Sequence, residues 1–179
     1  ALARDGSLRP CKGALSVSIA LSRSHTRKLI VPADNGQEAA LVAGTRVWAM
    51  DSLQSTIGLL QDTDSFPPVT VDVRELFSRQ TGYALDFSEI KGQPAAKRAL
   101  EIAVSGGHNL LMIGPPGSGK TMLAQRIPSI MPDMTVEESL EVTKIHSALG
   151  SLAAGKSIVA THPFRSPHHT ISHAGLVGG

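Results

Sequence analysis

The sequence has few of the residues that mark secreted, disulfide-bonded or membrane-spanning proteins. Cys11 is the single cysteine, which excludes an internal disulfide and is typical of a reducing compartment. No apolar run approaches the roughly 20 residues that a membrane span needs. The sequence starts at Ala1 without the charged and apolar segments of a secretory leader. We therefore expect a cytoplasmic protein that has no membrane partner.

Aromatic residues and net charge are also scarce. Aromatic residues make up 3% of the 179 residues, so the cores must consist mainly of aliphatic side chains. A hydrophobic share of 41% with 18% charged residues is typical of a globular protein. The net charge of +2 is too small to indicate a nucleic-acid partner by itself. With so few aromatic side chains for stacking, any contact with DNA would be mainly with phosphates.

The first sixty residues alternate between helical and extended patterns. Apolar residues at helical spacing, short β-branched runs and capping residues predict helix 14–23, strand 28–31, a helix from 34 to 42, strand 46–50 and a helix after Ser52. This order of elements at short spacing favours packing of the βαβ type. The double proline and several acids that follow predict a linker over residues 63–83.

The second half predicts another α/β unit, over residues 84–179. A helix from about Ala95 ends at Gly106-Gly107, and Thr135 with Glu138 forms a capping box for a later helix. Between them, residues 109–113 (NLLMI) are apolar without alternation, which predicts a strand buried on both faces of a parallel sheet. A further strand is predicted near residues 157–160.

The loop after that apolar run matches the phosphate-binding pattern G-x-x-x-x-G-K-[ST] at every fixed position. Its residues are Gly114, Pro115, Pro116, Gly117, Ser118, Gly119, Lys120 and Thr121. Glycines allow the backbone to curl so that the N–H groups of residues 117–121 surround a phosphate. Lys120 supplies a positive charge to the β- and γ-phosphates, and the Thr121 hydroxyl is a ligand for Mg²⁺. The sequence therefore predicts a site for ATP and Mg²⁺, with Lys120 and Thr121 as its catalytic residues.

The wider sequence around the loop resembles a known family. The runs GQPAAKRALEIAVSGGHNLLMIGPPGSGKTMLAQRIPSIMP, LEVTKIHSALG and PFRSPHHTISHAGLVGG look like the magnesium-chelatase-like AAA+ ATPases of the ComM/YifB family. The runs DGSLRPCKGALSVSIAL and LIVPADNGQEAALV are similar to the N-terminal domain of that family. The resemblance implies an α/β fold with a partial ribosomal-S5/Lon-like domain at 1–62 and an AAA+ ATPase domain at 84–179.

The resemblance also implies a function. Family members are bacterial cytoplasmic proteins, and a hexameric, ATP-driven DNA helicase of natural transformation and recombination is among them. We therefore expect ATP, further copies of the same chain and DNA as partners of the full-length protein. In AAA+ proteins the segment before the first helix lies against adenine, which implies a position near the base for Ile90, Gly92 and Gln93. Ile90 could equally belong to the core.

Two departures from the family limit these expectations. The acidic magnesium motif and the arginine supplied by a neighbouring subunit would follow Gly179, so we expect an internal segment that does not hydrolyse ATP alone. Lon-type proteases carry a lysine where alignment on Pro10 places Val17, so protease activity is not expected.

Histidines crowd a proline-rich stretch near the end of the sequence. They are His162, His168, His169 and His173. A structural role, a position facing a pore or DNA, and a metal site all remain open, although Pro163 and Pro167 interrupt the helix that a zinc site of this spacing would use.

Two other functions remain open for the full-length protein. One is a magnesium-chelatase subunit that drives magnesium into a porphyrin, against which the Lon-like N-terminal domain argues. The other is a nucleotide-binding scaffold without motor activity, against which an intact acidic magnesium motif beyond Gly179 would count.

Overall fold

The computed structural model describes residues 2–24, 27–153, 155–167 and 170. They form two compact units. The first unit consists of Ala1–Gly82 and Met134–Ala160, and the second consists of Tyr83–Asp133 and Thr161–Gly179. No helix within the described ranges is both long and apolar enough to cross a membrane.

The first unit is built on a βαβ arrangement, as the sequence predicts. Its elements are α1 (Ala14–Ser22), β1 (Lys28–Pro32), a 3-10 turn (Ala33–Asn35), α2 (Gly36–Ala39) and β2 (Arg46–Met50). The two strands pair in parallel from Lys28 with Arg46 to Pro32 with Met50. The predicted helix from 34 to 42 is shorter than expected and begins as a 3-10 turn.

Both faces of this small sheet are covered. Val31 and Val47 are buried in a cluster with Ala14 of α1 and Ala39 of α2. Trp48 is buried in a second cluster, and its indole Nε1 donates a hydrogen bond of 2.8 Å to the carbonyl oxygen of Phe66. The β-branched and aromatic content of the strands therefore supplies the core of this unit.

Two further helices extend the first unit. The helix α3 (Leu53–Gln61) begins with a capping box between Ser52 and Ser55. The helix α4 (Val73–Arg79) lies within the stretch for which the sequence predicts a linker. Asp72 caps α4 by accepting hydrogen bonds from two backbone N–H groups. The apolar face of α4 packs onto the core cluster of Leu15, Leu41 and Ile158. Residues 63–83 are therefore partly folded, because a helix cap precedes apolar residues at helical spacing.

The helix α7 (Val136–Leu149) belongs to the first compact unit. Its capping box between Thr135 and Glu138 is confirmed, and it ends at Gly150 with φ of 69°. The sequence assigns this segment to the ATPase domain, whereas in the structure it packs within the first unit. Its buried face consists of small hydroxyl residues spaced by four, Ser139, Thr143 and Ser147. Small side chains permit close approach, and the backbone N–H of Gly13 donates to the carbonyl oxygen of Ser147 at 3.0 Å.

A buried carboxylate connects three helices of the first unit. Glu38 is 6% exposed. Its Oε1 accepts hydrogen bonds from the backbone N–H of Leu15 at 3.2 Å and from the Ser147 hydroxyl. Its Oε2 accepts from Nδ2 of Asn35 at 3.1 Å. Three donors from α1, the turn before α2, and α7 thus satisfy a charged group that would otherwise be costly to bury.

We predict that Glu38→Ala lowers the free energy of unfolding of the first unit by about 2–3 kcal/mol, because it leaves buried donors without an acceptor. Urea denaturation followed by the fluorescence of the buried Trp48 would measure the change. Glu141→Ala is the matched control, since Glu141 is exposed on α7, and its effect should stay within about 0.5 kcal/mol. Equal effects of the two substitutions would contradict a structural role for Glu38.

The described part of the second unit contains two helices around one core cluster. They are α5 (Pro94–Gly106), which ends at Gly107 with φ of 63°, and α6 (Lys120–Arg126), which continues as a 3-10 turn over Ile127–Ile130. A 3-10 turn over Phe87–Glu89 precedes α5. The buried cluster contains Phe87, Ile90, Leu100 and Leu123.

The prediction of a strand buried on both faces at 109–113 is wrong for the described residues. This segment does not form a strand, and Leu111 is 82% and Ile113 87% exposed. Met112, which lies between them, packs against the core cluster. A parallel strand is buried only where other strands flank it and layers cover both faces, and no strand is assigned among the described residues of the second unit. Likewise no strand forms at 157–160, although Ile158 is fully buried.

Candidate phosphate-binding site

The loop from Gly114 to Thr121 follows the apolar segment 109–113 and leads into α6. Gly117 has φ of 79° and Gly119 has φ of 84°, both in the left-handed region. Side-chain-bearing residues adopt this region only with strain, so the two glycines are needed for the course of the backbone. Gly119 immediately precedes the first residue of α6. The chain therefore turns from the loop into the helix at the point where the free N–H groups of the helix begin.

Close contacts within the loop explain a third glycine. A Cβ atom on Gly114 would lie 3.1 Å from Oγ of Ser118, which is tighter than nine in ten such contacts. The start of the loop thus approaches Ser118 in its middle with little space for a side chain. The result is a tight cradle.

Lys120 folds back over this cradle. Its Nζ donates hydrogen bonds to the carbonyl oxygens of Gly114 at 2.8 Å and Pro115 at 2.9 Å, and to Oγ of Ser118 at 3.2 Å. The ammonium group therefore lies at the loop, where it can exchange carbonyl oxygens for phosphate oxygens. Thr121 is exposed in the first turn of α6, so its hydroxyl is accessible.

A cavity of about 380 Å³ lies beside the loop within the second unit. Gln93 and the loop residues Gly114, Pro115, Ser118 and Lys120 supply its polar part. Its other side is formed by apolar residues of α5 and of segment 109–113, among them Ala96, Leu100 and Leu110. The cavity thus combines an apolar wall with the converging polar groups of the loop, which is the usual chemistry of a small-molecule site.

The three residues expected near the adenine base have different surroundings in the structure. The Ile90 side chain is 2% exposed and belongs to the core cluster. Gly92 lies in an exposed turn with φ of 69°. Gln93 has φ of 53°, and its Nε2 donates a hydrogen bond of 3.0 Å to the carbonyl oxygen of Ser118. The structure therefore brings Gln93 to the phosphate loop, while the Ile90 side chain packs in the core.

Two further contacts around this turn are not evident from the sequence pattern. The Lys97 ammonium donates a hydrogen bond to the carbonyl oxygen of Ile90, although its place on α5 suggests a solvated lysine. Arg126 at the end of α6 binds the Glu89 carboxylate through Nη2 at 2.7 Å and Nε at 3.1 Å. The sequence gives only a weak indication of the Lys97 contact: this residue lies in the first turn of α5, where a long side chain can reach back to the preceding turn.

The entry to the turn is fixed by side-chain caps. Asp86 accepts from the backbone N–H of Ser88 at 2.7 Å, and hydrogen bonds from the Ser88 hydroxyl and backbone hold the pKa of Asp86 below its usual value. The backbone N–H of Phe87 donates to Oγ of Ser129 at 2.9 Å. The segment that leads to Gln93 is thus attached both to itself and to the 3-10 turn after α6.

The histidine group is only partly within the described residues. Nε2 of His162 lies 2.8 Å from the carbonyl oxygen of Pro132, and its backbone N–H donates to the Tyr83 hydroxyl at 3.4 Å. His168, His169 and His173 lie outside the described residues. Within the part of the chain that is described, no three His, Cys, Asp or Glu side chains converge as metal ligands.

Comparison with known proteins gives matches over both units. The family model described as magnesium chelatase, subunit ChlI, matches residues 86–179. The YifB protein of Escherichia coli K12 is 41% identical over 179 residues, and the competence protein ComM of Haemophilus influenzae is 38% identical over 179 residues. The protein Rv2897c of Mycobacterium tuberculosis H37Rv is 39% identical over 180 residues.

The extent of these matches is the same for all three relatives. Each covers 99% of this chain, whereas the chain spans 34–35% of the length of each relative. The family model accounts for the segment with the phosphate loop, and the relatives account for residues on both sides of it. The chain therefore belongs to the magnesium-chelatase-like ComM/YifB family.

Proposed function

We propose that the chain binds ATP with Mg²⁺ as the nucleotide-binding part of an AAA+ ATPase. The observation that carries the proposal is the loop from Gly114 to Thr121. Its two left-handed glycines and the Lys120 ammonium, drawn to carbonyl oxygens of the same loop, provide the curvature and the charge that a phosphate group requires.

The residues fit a nucleotide phosphate and its metal ion. The cradle is tight enough that a Cβ on Gly114 would crowd Ser118, and the backbone N–H groups of residues 117–121 are the donors that would bind phosphate. Lys120 would neutralise the β- and γ-phosphates, and the Thr121 hydroxyl would be a magnesium ligand. Mg²⁺, when bound, supplies further neutralisation of the charge that develops on the phosphates.

Hydrolysis needs groups that the loop does not contain. A carboxylate for the metal ion and water, and an arginine from a neighbouring subunit, would complete the site in a ring of subunits. We therefore propose that ATP turnover is a property of the full-length protein in a hexameric ring, located in the cytoplasm. Domain boundaries near residues 62 and 84 and the Lon-like and AAA+ character of the two parts belong to the same proposal.

The work that turnover drives is proposed to be the movement of branched DNA. The relative named competence protein ComM supports a role in natural transformation and recombination, because its match covers residues before the phosphate loop as well as the loop itself. Those residues lie outside the magnesium-chelatase match, which begins at residue 86. The same observation weighs against the second candidate, a chelatase subunit that drives magnesium into a porphyrin.

We predict that Lys120→Ala weakens the binding of Mg-ATP by roughly 10- to 100-fold, because it removes charge-assisted hydrogen bonds to the phosphates. Isothermal titration of the full-length protein would measure the affinity. Lys144→Ala is the matched control, since that lysine is half-exposed on α7 and its charged contact, with Glu141, is as long as 3.9 Å. Retention of full affinity by the Lys120 variant would show that the loop does not hold the phosphates.

We further predict that branched DNA raises the ATP turnover of the full-length protein and that Lys120→Ala abolishes this turnover. Release of inorganic phosphate, followed with and without DNA, is the measurement. Turnover that is indifferent to DNA but rises with a porphyrin and Mg²⁺ would favour the chelatase function. Binding of ATP without any turnover would favour a scaffold in which the nucleotide is structural.

A further inference from the structure

The turn before α5 contains one residue, Gln93, in a backbone conformation that its residue type does not favour. Gly92 and Gln93 are consecutive left-handed residues, and Gln93 is the one residue other than glycine with positive φ among those described. Strain of this kind persists only where the surroundings maintain it, and it is concentrated at functional sites. The contacts of Gln93 are therefore the place to look for a role.

Gln93 joins the start of α5 to the phosphate loop. Its backbone carbonyl accepts the N–H of Lys97 at 3.0 Å and so begins the helix. Its side-chain Nε2 donates to the carbonyl oxygen of Ser118 at 3.0 Å. A Cβ on Gly119 would lie 3.4 Å from the same Nε2, so the side chain lies directly against the loop.

The first residue of this turn, Ile90, is held by backbone hydrogen bonds and by the core. The Lys97 ammonium donates to the carbonyl oxygen of Ile90, and the backbone N–H of Ile90 donates to the carbonyl oxygen of Phe87 at 3.2 Å. The Ile90 side chain is buried in the core cluster. The turn from Ile90 to Gln93 is thus anchored at Ile90 by these contacts and at Gln93 by the hydrogen bond from the backbone N–H of Lys97. These anchors fix the direction of the Gln93 side chain.

The hydrogen bond to Ser118 has a consequence for the loop. In a trans peptide the carbonyl oxygen of one residue and the N–H of the next point in opposite directions. When Gln93 holds the Ser118 carbonyl, the N–H of Gly119 is therefore directed away from Gln93. Gly119 is one of the loop residues whose N–H groups would bind phosphate, and a carbonyl turned into the cradle would repel it.

We propose that Gln93 is a positioning residue that orients the Ser118–Gly119 peptide for a nucleoside di- or triphosphate, with Lys97 as its support. The inference rests on the proposed nucleotide binding. It assigns Gln93 to the phosphates through the loop, whereas the family resemblance implies a position near the base.

The test compares ligands with and without phosphates in the full-length protein. Adenosine and ADP compete with a fluorescent ADP analogue for the unsubstituted protein and for Gln93→Met, which keeps the length of the side chain but loses the donor. The affinity for ADP should fall roughly three- to tenfold, in keeping with one lost hydrogen bond, while that for adenosine stays unchanged. Lys97→Met should also lower the affinity for ADP and leave that for adenosine unchanged, but the loss should be smaller than in Gln93→Met.

Two further variants separate the hydrogen bond from other effects. Gln93→Gly relieves the strained φ and also lacks the donor, so it should lose ADP affinity as Gln93→Met does. Gln54→Met makes the same chemical change at an exposed position of α3 and should bind ADP normally. Thermal unfolding of each variant would verify that the fold is retained.

The outcomes distinguish the inference from the proposed function. An equal loss for adenosine and ADP would overturn the inference in favour of a contact with the base. Unchanged ADP affinity in Gln93→Met, or normal affinity in Gln93→Gly alone, would overturn it as well. Failure of the unsubstituted protein to bind ADP would overturn the proposed nucleotide binding itself, and the inference with it.

Discussion

A loop that binds phosphate through its backbone must keep its N–H groups turned inward and its carbonyl groups occupied elsewhere. In a peptide that carries both groups, the planar trans bond fixes them in opposite directions, whereas the two peptides that precede the prolines of the loop carry a carbonyl group and no N–H. In this chain the Ser118 carbonyl is bound by Gln93, and those of Gly114 and Pro115 are bound by Lys120. The hydrogen bond from Gln93 can remain when a ligand binds. The Lys120 ammonium, in contrast, would leave these carbonyl oxygens to contact the phosphates.

The rest of the second unit can be understood as support for that arrangement. The helix α5 begins directly after Gln93, which holds the loop, and α6 begins directly after the last glycine of the loop. The buried cluster contains Leu100 from α5 and Leu123 from α6, so the two helices share one core. The pair of Arg126 with Glu89 connects the end of α6 to the segment before Gln93. Arg126 is mostly buried and Glu89 half-exposed, so this pair contributes orientation more than stability.

How far the sequence predicts the structure depends on the range of each interaction. Caps and left-handed glycines are local, and the capping box of Thr135, the end of α5 at Gly107 and the parallel pairing of β1 with β2 were all predictable. The hydrogen bond between Glu38 and Ser147 joins residues 109 positions apart, and no local sequence pattern predicts it. The same holds for the site: Lys120 follows from its motif, whereas the contact of Gln93 with the loop spans 25 residues.

The apolar segment at 109–113 shows why the composition of a strand is insufficient to predict its burial. Met112 packs against the core cluster while Leu111 and Ile113 on either side are exposed, so the segment is covered on one side and open on the other. The covering comes from α5 and α6, which follow from local signals. The open face would require a second layer and flanking strands, and their contacts depend on residues distant in sequence. Hydrogen bonds from Gln93 and Lys120 restrain the phosphate loop, and no strand among the described residues of this unit does so.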